Sequence, residues 1–262
     1  PPVGSDISGA LEVSNDVASY LSTPIEYSSS NVTFHFYEDP LFTSVSPTIG
    51  FTTGTTVTIV GAGFKDYMER NEIVALDGVF ATAATVVNWT HIIATLPNST
   101  DTGSTKNVTI LLNGQQASPY NREFYCMKDI DITAVRPQLQ SHLGGTRLTF
   151  TGTYTGGGGR AGFSSLSAYE DELKMFDADL KTFLACSIVS NTELEFTSPT
   201  VSRNAAAWQN YSFSPNGKQV SSSSPQWVFS YPPPVIDAIS PIAGPVWGDT
   251  SVTINGTFLN TG

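Results

Sequence analysis

Six asparagines stand two residues before a serine or threonine with no intervening proline: Asn31, Asn88, Asn98, Asn107, Asn210 and Asn255. That pattern accepts N-linked oligosaccharide when a chain passes through a secretory pathway. Asn88 and Asn98 flank a run of β-formers from Val86 to Leu96, where a loop or strand edge would present a glycan to solvent. Covalent N-linked glycans are therefore the one non-protein group expected, and the expected location is extracellular, at the cell surface or in a matrix.

The two cysteines, Cys126 and Cys186, fall in one region. Bonded across facing sheets, they would close a loop of about 60 residues and add about 4 kcal/mol on the loop-entropy argument. An oxidising compartment favours that bond; the other reading is two buried thiols.

The remaining side chains assemble no reactive centre. His35, His91 and His142 are too far apart in sequence to suggest a metal pair. Serine is abundant, but no Gly-x-Ser-x-Gly elbow marks a nucleophile. Gly156 to Gly159 is followed by Arg160-Ala161-Gly162, where a phosphate-binding loop needs Gly-Lys-Ser/Thr, so it reads as a flexible loop. The acidic stretch Glu170, Asp171, Glu172, Asp177 and Asp179 supplies carboxylates but not the spacing of an established calcium loop; Asp177 reads mainly as a turn residue, with calcium the alternative. Ser221 to Ser224 reads as a polar turn or an O-glycan site. No catalytic, cofactor-binding or metal-binding residue is assigned, and the chain is expected not to be an enzyme. A net charge of −11 and a pI near 4.5 argue against nucleic acid, which needs clustered Lys and Arg. No apolar run is long enough to span a bilayer, so direct membrane insertion by this segment is not expected.

The elements that carry these residues repeat. Ser46-Pro47, Arg136-Pro137 and Ser240-Pro241 are each followed, seven residues after the proline, by a glycine (Gly54, Gly144, Gly248) that opens a turn reaching a threonine. An alternating strand then closes on Gly61, Gly152 or Gly256. The prolines lie 90 and 104 residues apart, a spacing suited to a seven-stranded sandwich and too long for a solenoid turn. Thr90 before Pro97 and Thr192 before Pro199 repeat a late strand pair. Val57, Ile59, Leu148, Phe150, Val252 and Ile254 are expected on the inward face, alternating with outward threonines. Residues 167–183 carry both strand and helical spacing; strand is expected, with a short helix as runner-up.

Proline, Gly-x-Thr, an alternating strand and Gly61-Ala62-Gly63-Phe64 or Gly256-Thr257-Phe258 resemble the IPT/TIG immunoglobulin-like family. The second copy departs with Gly152-Thr153-Tyr154 and a long glycine loop. The resemblance implies an all-β chain of tandem immunoglobulin-like (IPT/TIG) sandwiches. Expected are closing strands of an incomplete repeat in 1–35, complete repeats in 36–123 and 124–228, and opening strands of a further incomplete repeat in 229–262. Such domains occur in receptors, adhesion proteins, carbohydrate-active enzymes and transcription factors.

With short, proline-bearing linkers at Asp39-Pro40 and Tyr231 to Pro234, the expected function is a structural glycoprotein whose repeats stack end to end into a filament or stalk. Its partners would be other copies, docked head to tail by strand addition, or neighbouring repeats of the same chain. A recognition or adhesion receptor ectodomain is the alternative, and accessory modules of a secreted polysaccharide-active enzyme a third reading.

Overall fold

A computed structural model describes residues 7–11, 32–65, 71–100, 103–115, 117–156, 161–202, 206–223 and 225–259. It is nearly all β. Strands β1 (Ile7–Leu11) and β2 (Val32–Phe36) form an antiparallel pair of their own. The first complete module contains β3 (Leu41–Ser46), β4 (Ile49–Phe51), β5 (Thr56–Ala62), β6 (Val74–Leu76), β7 (Val79–Phe80), β8 (Ala83–Asn88), β9 (His91–Thr95), β10 (Ser104–Ile110) and β11 (Asn121–Met127). These build two sheets, in the orders β3-β5-β9-β8 and β4-β11-β10-β6-β7.

The second module repeats the plan with β12 (Asp131–Arg136), β13 (Leu139–Ser141), β14 (Arg147–Thr153), β15 (Lys174–Asp177), β16 (Thr182–Ala185), β17 (Ser187–Ile188), β18 (Glu193–Thr197), β19 (Ala207–Ser214) and β20 (Gln226–Tyr231). Its sheets run β12-β14-β18-β17 and β13-β20-β19-β15-β16. A last antiparallel pair, β21 (Val235–Ser240) with β22 (Thr253–Thr257), follows.

The recurring residues are explained by geometry that also recurs. In each copy the X–Pro bond is cis. In both complete modules the strands on either side of it lie in different sheets, the later one pairing in parallel with the module's last strand. Gly54, Gly144 and Gly248 take φ of 93°, 72° and 92°, which side chains disfavour. Gly61, Gly152 and Gly256 sit where the opposing strand bulges. A Cβ there would stand 1.9, 2.4 and 2.0 Å from the carbonyl oxygens of Leu41, Asp131 and Val235, so only glycine fits.

Alternation delivers the cores. Val57 and Ile59 are buried with Phe42, Ile92 and Phe124 in the first module, and Leu148 and Phe150 with Leu194, Phe196 and Tyr211 in the second. Val252 and Ile254 remain 45% and 48% exposed, because no second sheet covers the β21–β22 pair among the described residues. Residues Phe163–Glu172 form a 3-10 helix that runs into β15, so the segment expected as strand is helical in its first part. Tertiary packing of Phe163 and Leu166 into the core decides it.

Three expected boundaries move. Those at 35/36, 123/124 and 228/229 each cut a continuous strand, namely β2, β11 and β20. Phe36, Phe124 and Phe229, the first residues of the expected units, lie inside those strands. Phe124 and Tyr125 belong to β11, which pairs with β10 and β4 of the first module.

Candidate functional site at the junction of the two modules

Residues in the second half of β11, Phe124 to Met127, alternate in direction yet are buried on both sides. Phe124 and Cys126 point into the first module's core, while Tyr125 and Met127 pack with the core of the second. Ile49 and Phe51 of β4 join Tyr125 and Met127 there. The continuous apolar runs Ile49-Gly50-Phe51 and Phe124 to Met127 are the sequence signature of a strand covered on two faces.

The second module reaches this surface with two polar devices. The 3-10 helix starts at Gly162, whose φ of 78° turns the chain, and is tied by Ser165 Oγ donating to Gly162 O at 2.8 Å. Near its end it presents Tyr169, stacked on Tyr125 with ring centroids 5.1 Å apart, and Glu172. The Glu172 carboxylate accepts the Thr48 backbone N–H at 2.9 and 3.0 Å and the Thr48 hydroxyl. Tyr125 and Tyr154 share a buried hydroxyl–hydroxyl hydrogen bond of 2.7 Å.

The second device is the turn Ser214-Pro215-Asn216-Gly217. Gly217 has φ 66°, and Asn216 Oδ1 accepts the Lys218 and Gln219 N–H groups at 3.0 Å. That turn aims two amides at β4, the edge strand of its sheet. Asn216 Nδ2 donates to Ile49 O at 2.9 Å. Gln219 Oε1 accepts from Phe51 N and Thr55 Oγ1, at 3.0 and 2.8 Å, and its Nε2 donates to Gly54 O at 2.6 Å. Backbone groups at this edge are thus taken by side chains of the next module, which shields it from strand addition. The chemistry here is recognition, with apolar contact, charge-assisted hydrogen bonds and amide pairing in register.

The residues singled out by sequence are dispersed. No disulfide joins Cys126 and Cys186: both thiols are buried, Cys126 in the first core and Cys186 in the second. The expected bond fails because Cys126 lies in the closing strand of the first module, not the opening strand of the second. Desolvation pushes the Cys186 thiol up to about 12.

Of the sequon asparagines, Asn31 lies outside the described residues. Asn88, Asn98, Asn107 and Asn255 are exposed, and Asn210 is half-buried on β19. His35 is exposed. His91 Nδ1 lies 2.8 Å from Thr90 Oγ1. His142 is buried, with neither ring nitrogen hydrogen-bonded. Asp177 is a turn residue whose Oδ1 accepts the Asp179 and Leu180 N–H groups. Burial raises the Asp177 carboxyl above its ordinary range. Asp129 holds the serine-rich turn, its two carboxylate oxygens accepting from Ser221 and Ser222.

The sheet orders, with a short second strand added in parallel to the last, are those of an immunoglobulin-like sandwich, and the family model of the IPT/TIG domain matches residues 40–125. Those residues are similar to an IPT/TIG domain. The second module repeats its strand plan.

Similarity to solved structures is low. The chain is 17% identical to a plexin A4 full extracellular region, covering 91% of this chain and 20% of that one, with a TM-score of 0.46. It is 12% identical to the Bacteroides ovatus mixed-linkage glucan utilization locus protein SGBP-B in complex with a mixed-linkage heptasaccharide, covering 81% of this chain and 52% of that one, with a TM-score of 0.30. This chain thus spans about a fifth and about half of the lengths of those neighbours. No curated protein matches it. Among the described residues no helix is long and apolar enough to cross a membrane.

Proposed function

We propose that the chain is a stiff section of an extracellular, N-glycosylated structural protein, in which IPT/TIG modules lock in series to form a filament or stalk. The observation that carries this reading is the burial on both faces of β4 and of the second half of β11, Phe124 to Met127. Two domains joined only by a flexible linker would keep separate cores, whereas here one module's outer strand surface completes the other's apolar cluster. Glu172, Asn216 and Gln219 add directional bonds that fix the angle as well as the contact. Binding energy placed at a joint between modules serves spacing and stiffness. Head-to-tail propagation, between copies or along one longer chain, would extend that joint into a fibre.

Small-angle scattering of the isolated chain, paired with imaging of native material, tests the proposal. A single inter-module angle at all salt concentrations and an axial repeat in the images are expected. Isolated monomers without an axial repeat would overturn the filament and favour a recognition ectodomain.

A further inference from the structure

The exposed face of β19 and β20 carries two tryptophans that the folded chain leaves half-open. Trp208 is 54% exposed and Trp227 51%, and together they line an open cleft of about 400 Å³. Trp208 also meets Phe229 edge-on, with ring centroids 5.3 Å apart. Apolar surface of this kind, concentrated on one face, is usually covered by something.

The sequon Asn210-Tyr211-Ser212 lies inside that patch. Asn210 is directly opposite Trp227 in the β19–β20 register and two residues from Trp208 along the strand, so all three point to the same side. Such neighbours stand about 5 Å apart across strands and about 7 Å along one. Asn210 Oδ1 is buried and accepts no hydrogen bond, which leaves an acceptor beside the attachment nitrogen.

We infer that the N-linked oligosaccharide on Asn210 is the occupant of this cleft, its innermost sugar stacked by its C–H face on the indoles of Trp208 and Trp227. The inference rests on the secretory reading proposed above. The covalent step joins Asn210 Nδ2 to the anomeric carbon of an oligosaccharide carried on a lipid diphosphate. The sugar–phosphate bond breaks, the lipid diphosphate leaves with the electron pair, and the amide nitrogen gives up one proton. A sugar ring presents C–H groups on one face and hydroxyls at its rim. It therefore covers the apolar indole faces while its polar edge stays in water.

The first module supplies a built-in control. The β10–β11 register sets Asn107 opposite Glu123 and Thr105 opposite Tyr125, which makes Asn107 the positional equivalent of Asn210. Thr105 and Glu123 stand where the second module has Trp208 and Trp227. A glycan on Asn107 has no indole to lie on.

The test uses the full chain made in a eukaryotic secretory host, with Trp89→Phe and Trp247→Phe so that fluorescence reports the pair alone. Glycopeptide mass spectrometry should find Asn210 modified. Asn210→Gln should raise acrylamide quenching of the pair roughly twofold, because one ring face is uncovered, while Asn107→Gln leaves it unchanged. An unmodified Asn210 among otherwise occupied sequons would overturn this inference and leave the secretory reading standing; no occupied sequon at all would overturn both. Equal quenching in the two variants would overturn the stacking. Quenching of Asn210→Gln that falls with protein concentration, with dimers in sedimentation, would assign the face to a second copy instead.

Discussion

The two modules share a strand plan and differ at matched positions on both faces of one sheet. Inward, the first module places Leu76, Val108 and Cys126 where the second places Asp177, Tyr211 and Ser230. All six are buried. The second module thus keeps a polar layer in its core, where Tyr211 Oη donates at 3.1 Å to Gln140 Oε1 or Gln209 Oε1. Outward, Ile49 and Tyr125 of the first module are fully covered by the second, whereas of their equivalents Leu139 is exposed and Phe229 only partly buried. The same frame therefore makes a joint in one copy and an open aromatic face in the other. Outward side chains, which the fold itself leaves unconstrained, carry that difference.

The largest effect is expected on truncating the equivalent aromatic residues of the two modules. Tyr125→Ala removes a fully buried ring and its hydrogen bond to the Tyr154 hydroxyl, so a loss of about 3–5 kcal/mol is expected. Calorimetry should then show two separated unfolding transitions in place of one. Phe229→Ala, at the matching but partly exposed site, should cost about 1 kcal/mol and leave the transition shape unchanged. Equal losses would mean that the joint does not couple the modules.

Glu172→Ala tests the polar half of the joint. It leaves the Thr48 N–H without its carboxylate partner, and urea unfolding should register a loss of about 1–3 kcal/mol. Unaltered stability together with a widened spread of inter-module angles in scattering would show that this contact orients the modules without stabilising them.

A smaller effect separates the two cores by pH. Burial raises the folded-state value of Asp177 above that of the unfolded chain. The stabilisation linked to its bound proton is therefore fully present below the ordinary carboxylate range and is lost as pH rises through the raised value. Asp177→Asn, which keeps an oxygen for the Asp179 and Leu180 N–H groups, should raise the melting temperature at pH 7 and flatten its dependence on the acid side of neutrality. An unchanged slope would place the titration elsewhere.

The smallest expected change concerns the cysteines, one in each core. Neither should react with an alkylating reagent in the native protein at pH 8, and both should react once it is unfolded without reductant. An unfolded, unreduced chain that takes up no label would restore the Cys126–Cys186 bond.

Local rules carried much of this. The proline spacing, the turn glycines at 54, 144 and 248 and the close-approach glycines at 61, 152 and 256 are set by backbone sterics within a few residues. Sequence alone therefore determined the repeat phase, the alternating inward strands and the all-β sandwich class. Which strand belongs to which module was decided only in three dimensions, because β11 pairs with β4 across more than 70 residues of chain. The burial of Tyr125, the separation of Cys126 from Cys186 and the meeting of Glu172 with Thr48 follow from that pairing and from the docking of one sandwich on another. The juxtaposition of Asn210 with Trp227 depends on strand register, to which residues 17 apart in sequence give no local clue. Periodicity tells which side of a strand a residue faces; it does not tell what the fold brings to that side.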